Sequence, residues 1–370
     1  MIAKRPASVK TSAWNKEILT ATDRGILDML RKDKLIGDWS EATCPRCNVG
    51  KLGGLITRPN SEYFAHRCNR KNCQCYVSPL QLHPLFTQTM GQQGVSLQKQ
   101  AAALLLRLVN VPLADIHLLT NVNHKALEKL NKNLLYLRKG YVHETEKSIR
   151  FGGSTRSWKD VEVDEATFDK KTLEAGQISE ADASKGKKVQ WEQWGGLVQR
   201  GDPKTLVLAR LNPAITVPRA PGPGAMRKTD WKPLATKWLK NRSVVLHSDS
   251  ARSYKMKVPG MVHDSVVHKK KRVKLNGKWV WKPPTYVRTT THKLPGGRKL
   301  KTKAGTQIVD RAWRFIKDRL RRNQAAKTGS TMLAAQIRSA QYEYWHRKDD
   351  LWLCTGELVA WYMKDLLAIK

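Results

Sequence analysis

Residues 161–171, VEVDEATFDKK, are the stretch on which the interpretation of this chain depends. Its alternation of apolar and polar residues predicts a strand, yet Glu162, Asp164 and Glu165 stand among the apolar positions. Buried carboxylates without a partner are costly. Acidic residues are also scarce in this chain, with 31 Asp and Glu against 68 Lys and Arg. The three acids among the apolar positions of this strand therefore need something that neutralises their charge.

The excess of basic residues points to a polyanionic partner. The 370 residues carry a formal net charge of +37, and nucleic acid is the commonest partner for such a chain. An anionic membrane is the rival, but no apolar run reaches the roughly 18 residues of a spanning helix. The first residues, MIAKRPASVK, lack the apolar core of a signal peptide. We expect an intracellular protein with no membrane partner.

The composition changes along the chain and predicts five segments. A sheet followed by helices, with carboxylates at strand ends, indicates an α/β (α+β) core. In order, we expect an N-terminal helical arm (1–41), a cysteine module (42–86), a helical segment (92–140), a strand-rich domain (155–330) with a basic insertion (255–303), and a helical tail (331–370).

Five of the six cysteines lie between positions 44 and 75. Clustered cysteines in an intracellular chain indicate metal more than disulfides. Cys-x2-Cys, a twenty-residue gap and a second group of cysteines are typical of a zinc ribbon, whose four thiolates hold a structural Zn²⁺. The predicted ligands are Cys44, Cys47, Cys68 and Cys73, with Cys75 as the alternative fourth. Unligated, reduced cysteines are the competing interpretation.

Residues 112–138 resemble a helix-turn-helix, with a polar turn at TNVNH before a longer helix. Such a helix can enter the major groove while its lysines reach phosphates. The lysines in question are Lys125, Lys129 and Lys132. The alternative is a plain helical bundle without a DNA-reading role. Its core leucines would be Leu118, Leu119, Leu127 and Leu130.

Three acidic residues stand out in basic surroundings: Asp164, Asp249 in SVVLHSDSARSY, and Asp310 in GTQIVDRAWRFIKDRL. The first two close strand-like runs and the third begins a predicted helix. Carboxylates that meet from distant parts of a chain repel one another unless a cation neutralises them. Hard divalent ions such as Mg²⁺ take ligands of this kind, so the three acids predict a metal site.

The order of these features resembles the DDE transposases of the Merlin type and their bacterial insertion-sequence relatives. The first family motif, a strand ending in Asp-Glu-Thr or similar, is matched at 164–167, and Asp249 with Tyr254 matches the second. HDSVVH, residues 263–268, has the shape of the family's His-x-x-V-x-His. Residues 306–313, with Asp310 and Trp313, follow the third motif. The family's usual third acid is Glu, and this chain has the shorter Asp310.

The resemblance implies an RNase H-like catalytic core that performs metal-dependent DNA cleavage and strand transfer. Asp164, Asp249 and Asp310 would hold two Mg²⁺ or Mn²⁺ ions. Auxiliary roles would fall to His268, Glu165 and Trp313. Implied partners are double-stranded DNA, as terminal inverted repeats and as target, and a second copy of the chain in a homodimeric active complex. The protein would be DNA-associated, and nuclear if its host is a eukaryote.

The insertion at 255–303 contains 15 Lys and Arg residues and one acid, Asp264. Asn276-Gly277 between two strand-like runs predicts a β-hairpin. Cations on such a hairpin can neutralise phosphates while aromatics stack on exposed bases. The residues expected to contact DNA are Lys269, Lys270, Lys271, Arg272, Trp279 and Trp281.

The sequence thus predicts a DNA transposase first. One alternative is a domesticated transposase that has lost catalysis and acts as a sequence-specific DNA-binding protein. The other is a basic RNA-binding protein with a zinc ribbon. Metal-dependent cleavage would distinguish the transposase from both alternatives. A preference for duplex DNA over RNA would distinguish the DNA-binding protein from the RNA-binding protein.

Overall fold

The protein has a mixed α/β fold, seen in a computed structural model. The structure describes residue 18 and residues 21–57, 64–87, 94–267, 270–283, 285–294, 296–321 and 326–368. The chain divides into two compact units. One comprises the described parts of Met1–Val142 and His346–Lys370, and the other those of His143–Trp345. The predicted tail of 331–370 is therefore shared between the units.

A short helix and a small sheet form the first part of unit one. Helix α1 (Asp23–Lys32) begins at Thr22, whose hydroxyl accepts a hydrogen bond from the Gly25 amide at 3.2 Å. Strands β1 (Leu52–Thr57), β2 (Phe64–Cys68) and β3 (Tyr76–Val77) pair antiparallel in the order β1-β2-β3. This small sheet carries the cysteines at its ends.

Three helices follow: α2 (Leu97–Leu108), α3 (Leu113–Thr120) and α4 (His124–Glu146). Helix α3 ends at Asn121, which takes the left-handed conformation (φ 51°) that allows a tight turn into α4. Ala103, Ile116, Val122 and Leu127 form a common core. The last helix of the chain, α9 (Leu351–Ala368), belongs to the same unit and contacts α2.

Two of the four leucines assigned to the core of a plain bundle are not buried. Leu127 and Leu130 are buried, but Leu118 and Leu119 are 79% and 69% exposed. That part of the bundle prediction is wrong, because α3 directs Ile116 toward the core and these two leucines toward solvent. No helix in the described part of the chain is long and apolar enough to span a membrane.

The centre of unit two is a six-stranded mixed sheet. Its strands are β4 (Lys159–Thr172), β5 (Val189–Gln199), β6 (Asp202–Arg210), β7 (Ile215–Thr216), β8 (Val244–Ser248) and β9 (Met261–Ser265). They lie in the order β6-β5-β4-β8-β9, with β7 added beside β5. Strands β4, β5 and β6 form an antiparallel meander, whereas β4, β8 and β9 are parallel neighbours. The short helix α5 (Glu180–Ala183) lies between β4 and β5 in sequence.

Helices pack on the two faces of the sheet, and alternate residues of β4 point to each face. Val161 and Val163 join a core with Trp231 of helix α6 (Lys228–Leu239). Helices α7 (Gln307–Arg321) and α8 (Thr331–Trp345) contact β4, β5 and β6. Since successive side chains of a strand point to opposite faces, Glu162 and Asp164 lie on the face away from the Val161–Val163 core.

Two antiparallel hairpins precede α7: β10 (Lys271–Leu275) with β11 (Lys278–Lys282), and β12 (Arg288–Lys293) with β13 (Lys299–Ala304). The first turns at Asn276 and Gly277, both with positive φ (49° and 80°), as a two-residue turn of this type requires. This is where the Asn-Gly pair predicts the turn.

Candidate functional site

Asp164 lies inside β4, and Asp249 is the residue after β8, the parallel strand beside β4. Glu162 of β4 pairs with His247 of β8. Asp249 directly follows β8, two residues after His247, and Asp164 lies two residues after Glu162 in β4. The Asp249 carboxylate is one of the charges that raise the pKa of Asp164. Two acids from distant parts of the sequence therefore lie close enough to interact electrostatically.

Glu162 fixes the beginning of α7 against the sheet. Its buried carboxylate accepts hydrogen bonds from the amides of Ile308 and Val309, at 2.6 and 3.0 Å. A carboxylate at this position satisfies amides that have no partner within the helix and complements the helix dipole. Arg200 donates to the other oxygen of Glu162 at 2.7 Å and to the carbonyl of Gly305 at 2.8 Å. The first turn of α7 is thus tied to β4, two residues from Asp164.

Asp310 lies in that first turn of α7. Its side chain is exposed and accepts a hydrogen bond from the Thr306 hydroxyl at 3.3 Å. The pKa of Asp164 is raised to about 8, first by burial and then by nearby carboxylates. Those carboxylates belong to Glu165, Asp310 and Asp249. All three predicted acids therefore share one region of negative charge.

Among the described residues, the carboxylate oxygens of Asp164, Asp249 and Asp310 do not all come within 4.8 Å of one another. In a two-ion centre the ions are roughly 4 Å apart, so its ligand atoms can lie farther from one another than the ligands of a single ion. The spacing therefore argues against a single ion shared by all three carboxylates.

Glu165, the predicted auxiliary acid, faces a different environment. Its carboxylate accepts a hydrogen bond from the Met226 amide at 2.9 Å and another from the Tyr254 hydroxyl. Burial raises the pKa of Glu165, while these two hydrogen bonds act in the opposite direction. Alternation along β4 points Glu165 away from the face that carries Asp164. Tyr254, which belongs to the second motif, is thus a hydrogen-bond donor to the Glu165 carboxylate.

Trp313 packs one helical turn after Asp310. A Cβ atom on Gly196 would lie 2.6 Å from Cζ2 of Trp313, so only glycine leaves room for this ring. The ring also meets Phe168 edge-on, at 5.9 Å between centroids. Trp313 therefore packs α7 against the sheet.

Two histidines lie near the end of β8. His247 contacts a carboxylate oxygen of Asp160 at 2.7 Å, and this contact lowers the pKa of Asp160. His263 of β9 contacts the Ser248 hydroxyl at 2.8 Å. Burial lowers the pKa of His263 to about 4, so it is neutral at pH 7. The predicted auxiliary residue His268 lies outside the described residues, as does Lys269.

The cysteine module brings four thiols together. The sulfur atoms of Cys44, Cys47, Cys68 and Cys73 all lie within 4.8 Å of one another, so that these residues could hold a metal ion. The sulfur atoms are 3.8 Å apart for Cys47 and Cys68 and 3.9 Å apart for Cys44 and Cys73. Tetrahedral zinc with bonds of about 2.3 Å places its sulfurs about 3.8 Å apart. Cys75 is 3.3 Å from Cys44 but is not part of this set.

Backbone geometry around Cys47 prepares it as a ligand. The Gly50 and Val49 amides lower the pKa of Cys47 to about 6, so this thiol ionises readily. The Gly50 amide lies 3.3 Å from its sulfur. A Cβ on Gly50 would lie 2.5 Å from the Cys68 sulfur, so glycine is needed where the two cysteine turns meet.

The predicted DNA-contacting residues that are described lie on exposed surfaces. Lys125, Lys129 and Lys132 are exposed on α4, at a spacing that places them on one side of the helix. On the first hairpin, Trp279 and Trp281 are 60% and 62% exposed. The register places Lys274 opposite Trp279 and Arg272 opposite Trp281 on the same face. Lys270 is exposed just before β10, which begins at Lys271.

Sequence reasoning missed Glu162 as a functional residue, although its spacing of two from Asp164 indicates a common face. It also left Cys354 without a role; the structure places this thiol beside His346 and Asp349. No protein-family model, curated protein or solved structure matches this chain.

Proposed function

We propose that the protein is a DNA transposase with an RNase H-like catalytic core. The observation that carries this proposal is the placement of Asp164 close to Asp249, with Asp310 on a helix that Glu162 fixes to the same strand. A three-stranded meander extended by two parallel strands, with helices on both faces, is the arrangement expected of an RNase H-like core. The distribution of acids along it agrees with the motifs of the DDE transposases.

The first unit would recognise DNA. The thiol cluster is compatible with a zinc ribbon, and α3 and α4 with a helix-turn-helix. In this proposal α4 presents Lys125, Lys129 and Lys132 to phosphates. The basic hairpin adds cations and two exposed tryptophans, which suits contact with phosphates and unstacked bases. The active complex would be a homodimer on the element ends.

Asp164, Asp249 and Asp310 would hold the Mg²⁺ or Mn²⁺ ions. Such ions activate the attacking oxygen and stabilise the leaving oxygen of a phosphoryl transfer. The chain's own contribution is positioning. Glu162 and Trp313 hold α7 at a fixed distance from the sheet. That distance would determine whether the short Asp310 side chain can reach the ions. The Asp164 carboxyl must release its proton when a cation binds, because its pKa lies near 8.

Cleavage of the DNA that flanks the coding region tests the proposal. Purified protein is incubated with duplexes carrying each flank, in Mn²⁺ or in EDTA, and products are resolved on denaturing gels. We expect nicking at the element end in Mn²⁺ only, and loss of nicking in Asp164→Asn and Asp249→Asn. Asp318→Asn, an acid further along α7, is the matched control and should retain activity.

Two other outcomes assign the alternative functions. Tight duplex binding without cleavage by the wild type would identify a DNA-binding protein derived from a transposase. Tighter binding to RNA than to duplex DNA at equal salt would identify an RNA-binding protein. Either result would overturn the proposed activity.

A further inference from the structure

The segment that leads into α9 gathers three potential metal ligands, His346, Asp349 and Cys354. One ligand atom from each lies within 4.8 Å of the other two. The three residues are close in sequence, so the grouping is made by a single local turn. The Asp349 amide donates to the His346 carbonyl at 2.9 Å, and the Cys354 amide donates to the Asp350 carbonyl at 2.9 Å. These two bonds fix the turn and the first helical turn that present the ligands.

The imidazole of His346 is the centre of the group. Its Nδ1 atom lies 3.0 Å from an Asp349 carboxylate oxygen and 3.4 Å from the Cys354 sulfur. A neutral imidazole nitrogen is either a donor or an acceptor. If Nδ1 donates its proton to Asp349, it cannot accept the thiol proton of Cys354. One cation bonded to Nδ1, to the Asp349 oxygen and to the Cys354 sulfur would account for both contacts at once.

The separations agree with those of zinc ligands. Zn–S bonds of about 2.3 Å and Zn–N or Zn–O bonds of about 2.0 Å at tetrahedral angles give N···S about 3.5 Å and N···O about 3.3 Å. The observed values are 3.4 and 3.0 Å. A set of one thiolate, one imidazole and one carboxylate suits a borderline-soft ion such as Zn²⁺ better than Mg²⁺ or Ca²⁺.

We infer that His346, Asp349 and Cys354 form a second transition-metal site, of the zinc class, with three protein ligands. Because the cysteine module would use four thiolates, the two sites differ in kind: the module is closed, and the second site keeps a fourth position for water or an external ligand. The inference is independent of the proposed transposase activity, since it rests on residues outside both the acidic site and the cysteine module.

Zinc content of the full chain, measured by inductively coupled plasma mass spectrometry after exhaustive dialysis, tests this site. We expect two zinc ions per wild-type chain and one in Cys354→Ser and in His346→Ala. A variant in which Cys44, Cys47, Cys68, Cys73 and Cys75 are all replaced by Ser should also contain one, and adding Cys354→Ser to that variant should leave none. Lys348→Ala, an exposed neighbour in the same turn, is the matched control and should retain two.

Cobalt substitution supplies a second readout that does not depend on how well each variant keeps its zinc. Titrating Co²⁺ into the metal-free variant that lacks the five module cysteines should give a saturable one-to-one complex with a thiolate-to-cobalt charge-transfer band, and adding Cys354→Ser should remove the band. The inference is overturned if the wild type holds a single zinc that disappears when the five module cysteines are replaced and persists in Cys354→Ser. A single zinc lost only in Cys354→Ser would instead overturn the zinc assignment of the cysteine module.

Discussion

Gly196 lies directly opposite Asp164 in the register of β4 and β5, and it is the residue on which Trp313 packs. The absence of a side chain at Gly196 lets the indole approach the sheet beside the candidate acid. Helix α7, which carries both Asp310 and Trp313, is thereby held close enough for the Asp310 carboxylate to raise the pKa of Asp164. One glycine thus connects core packing with the geometry of the acidic site.

Gly196→Ala should destabilise the fold. The new Cβ would lie 2.6 and 2.8 Å from two carbons of the Trp313 ring, so that α7 or the ring must move. Overpacking of this kind costs about 1–3 kcal/mol, measurable by urea denaturation. Gly176→Ala is the control, because a Cβ there meets nothing within 4 Å. Equal stability of the two variants would contradict the packing described.

Asp164→Asn should stabilise the protein in EDTA, and more so at high pH. The folded-state pKa of about 8 lies above the ordinary value of 3.8. The folded state therefore holds a proton that the unfolded state releases, and the wild type loses stability as pH rises from about 4 to about 8. Asparagine does not ionise, so its advantage should grow over that range, to the order of 1–2 kcal/mol or more.

Thermal unfolding at pH 5, 7 and 9 measures this effect. Asp202→Asn, an exposed acid at the start of β6, controls for the general loss of one negative charge from a basic protein. A constant difference between Asp164→Asn and wild type across the three pH values would show that the carboxyl titrates normally and that the acids do not influence one another.

Cations of the hairpin should contribute to the salt dependence of DNA binding. Removing one cation that neutralises a phosphate lowers the slope of log K against log salt by about 0.9. Replacing Lys270, Arg272 and Lys274 by Ala should therefore reduce the slope by about 2–3 for duplex DNA. The matched control replaces Lys185, Lys188 and Lys204, exposed lysines elsewhere in the same unit. Equal slopes for both triple variants would mean that the hairpin does not touch DNA.

Local patterns were enough to predict the coarse architecture and several contacts. Alternation around Asp164 predicts a strand, and Asn276-Gly277 predicts the turn between β10 and β11. Cysteine spacing predicts the grouping of Cys44, Cys47, Cys68 and Cys73. In each case the signal lies within a few residues or in pairs of known spacing, which is why sequence alone suffices.

The contacts that could not be predicted depend on how distant or neighbouring elements pack in the folded chain. The carboxylate of Glu162 binds amides almost 150 residues later. Its spacing from Asp164 indicates a shared face of the strand but does not identify these partners. Leu118 and Leu119 fit an apolar helical face by sequence, but exposure depends on which side α3 presents to α2 and α4. The grouping of Cys354 with His346 is local, but it depends on the conformation of the turn that begins α9.

The exposed position of Asp310 in the first turn of α7 makes it the sharpest test of the proposed activity. Asp310→Asn preserves volume and removes charge, so DNA binding should persist while metal-dependent cleavage falls by about 100-fold or more. Asp310→Glu should retain part of the activity, because it supplies the longer acid that the resemblance leads one to expect. Asp318→Asn, two turns further along, should behave as wild type in both assays. Full cleavage by Asp310→Asn would place the third ligand elsewhere, and Glu165→Gln would then be the variant to measure.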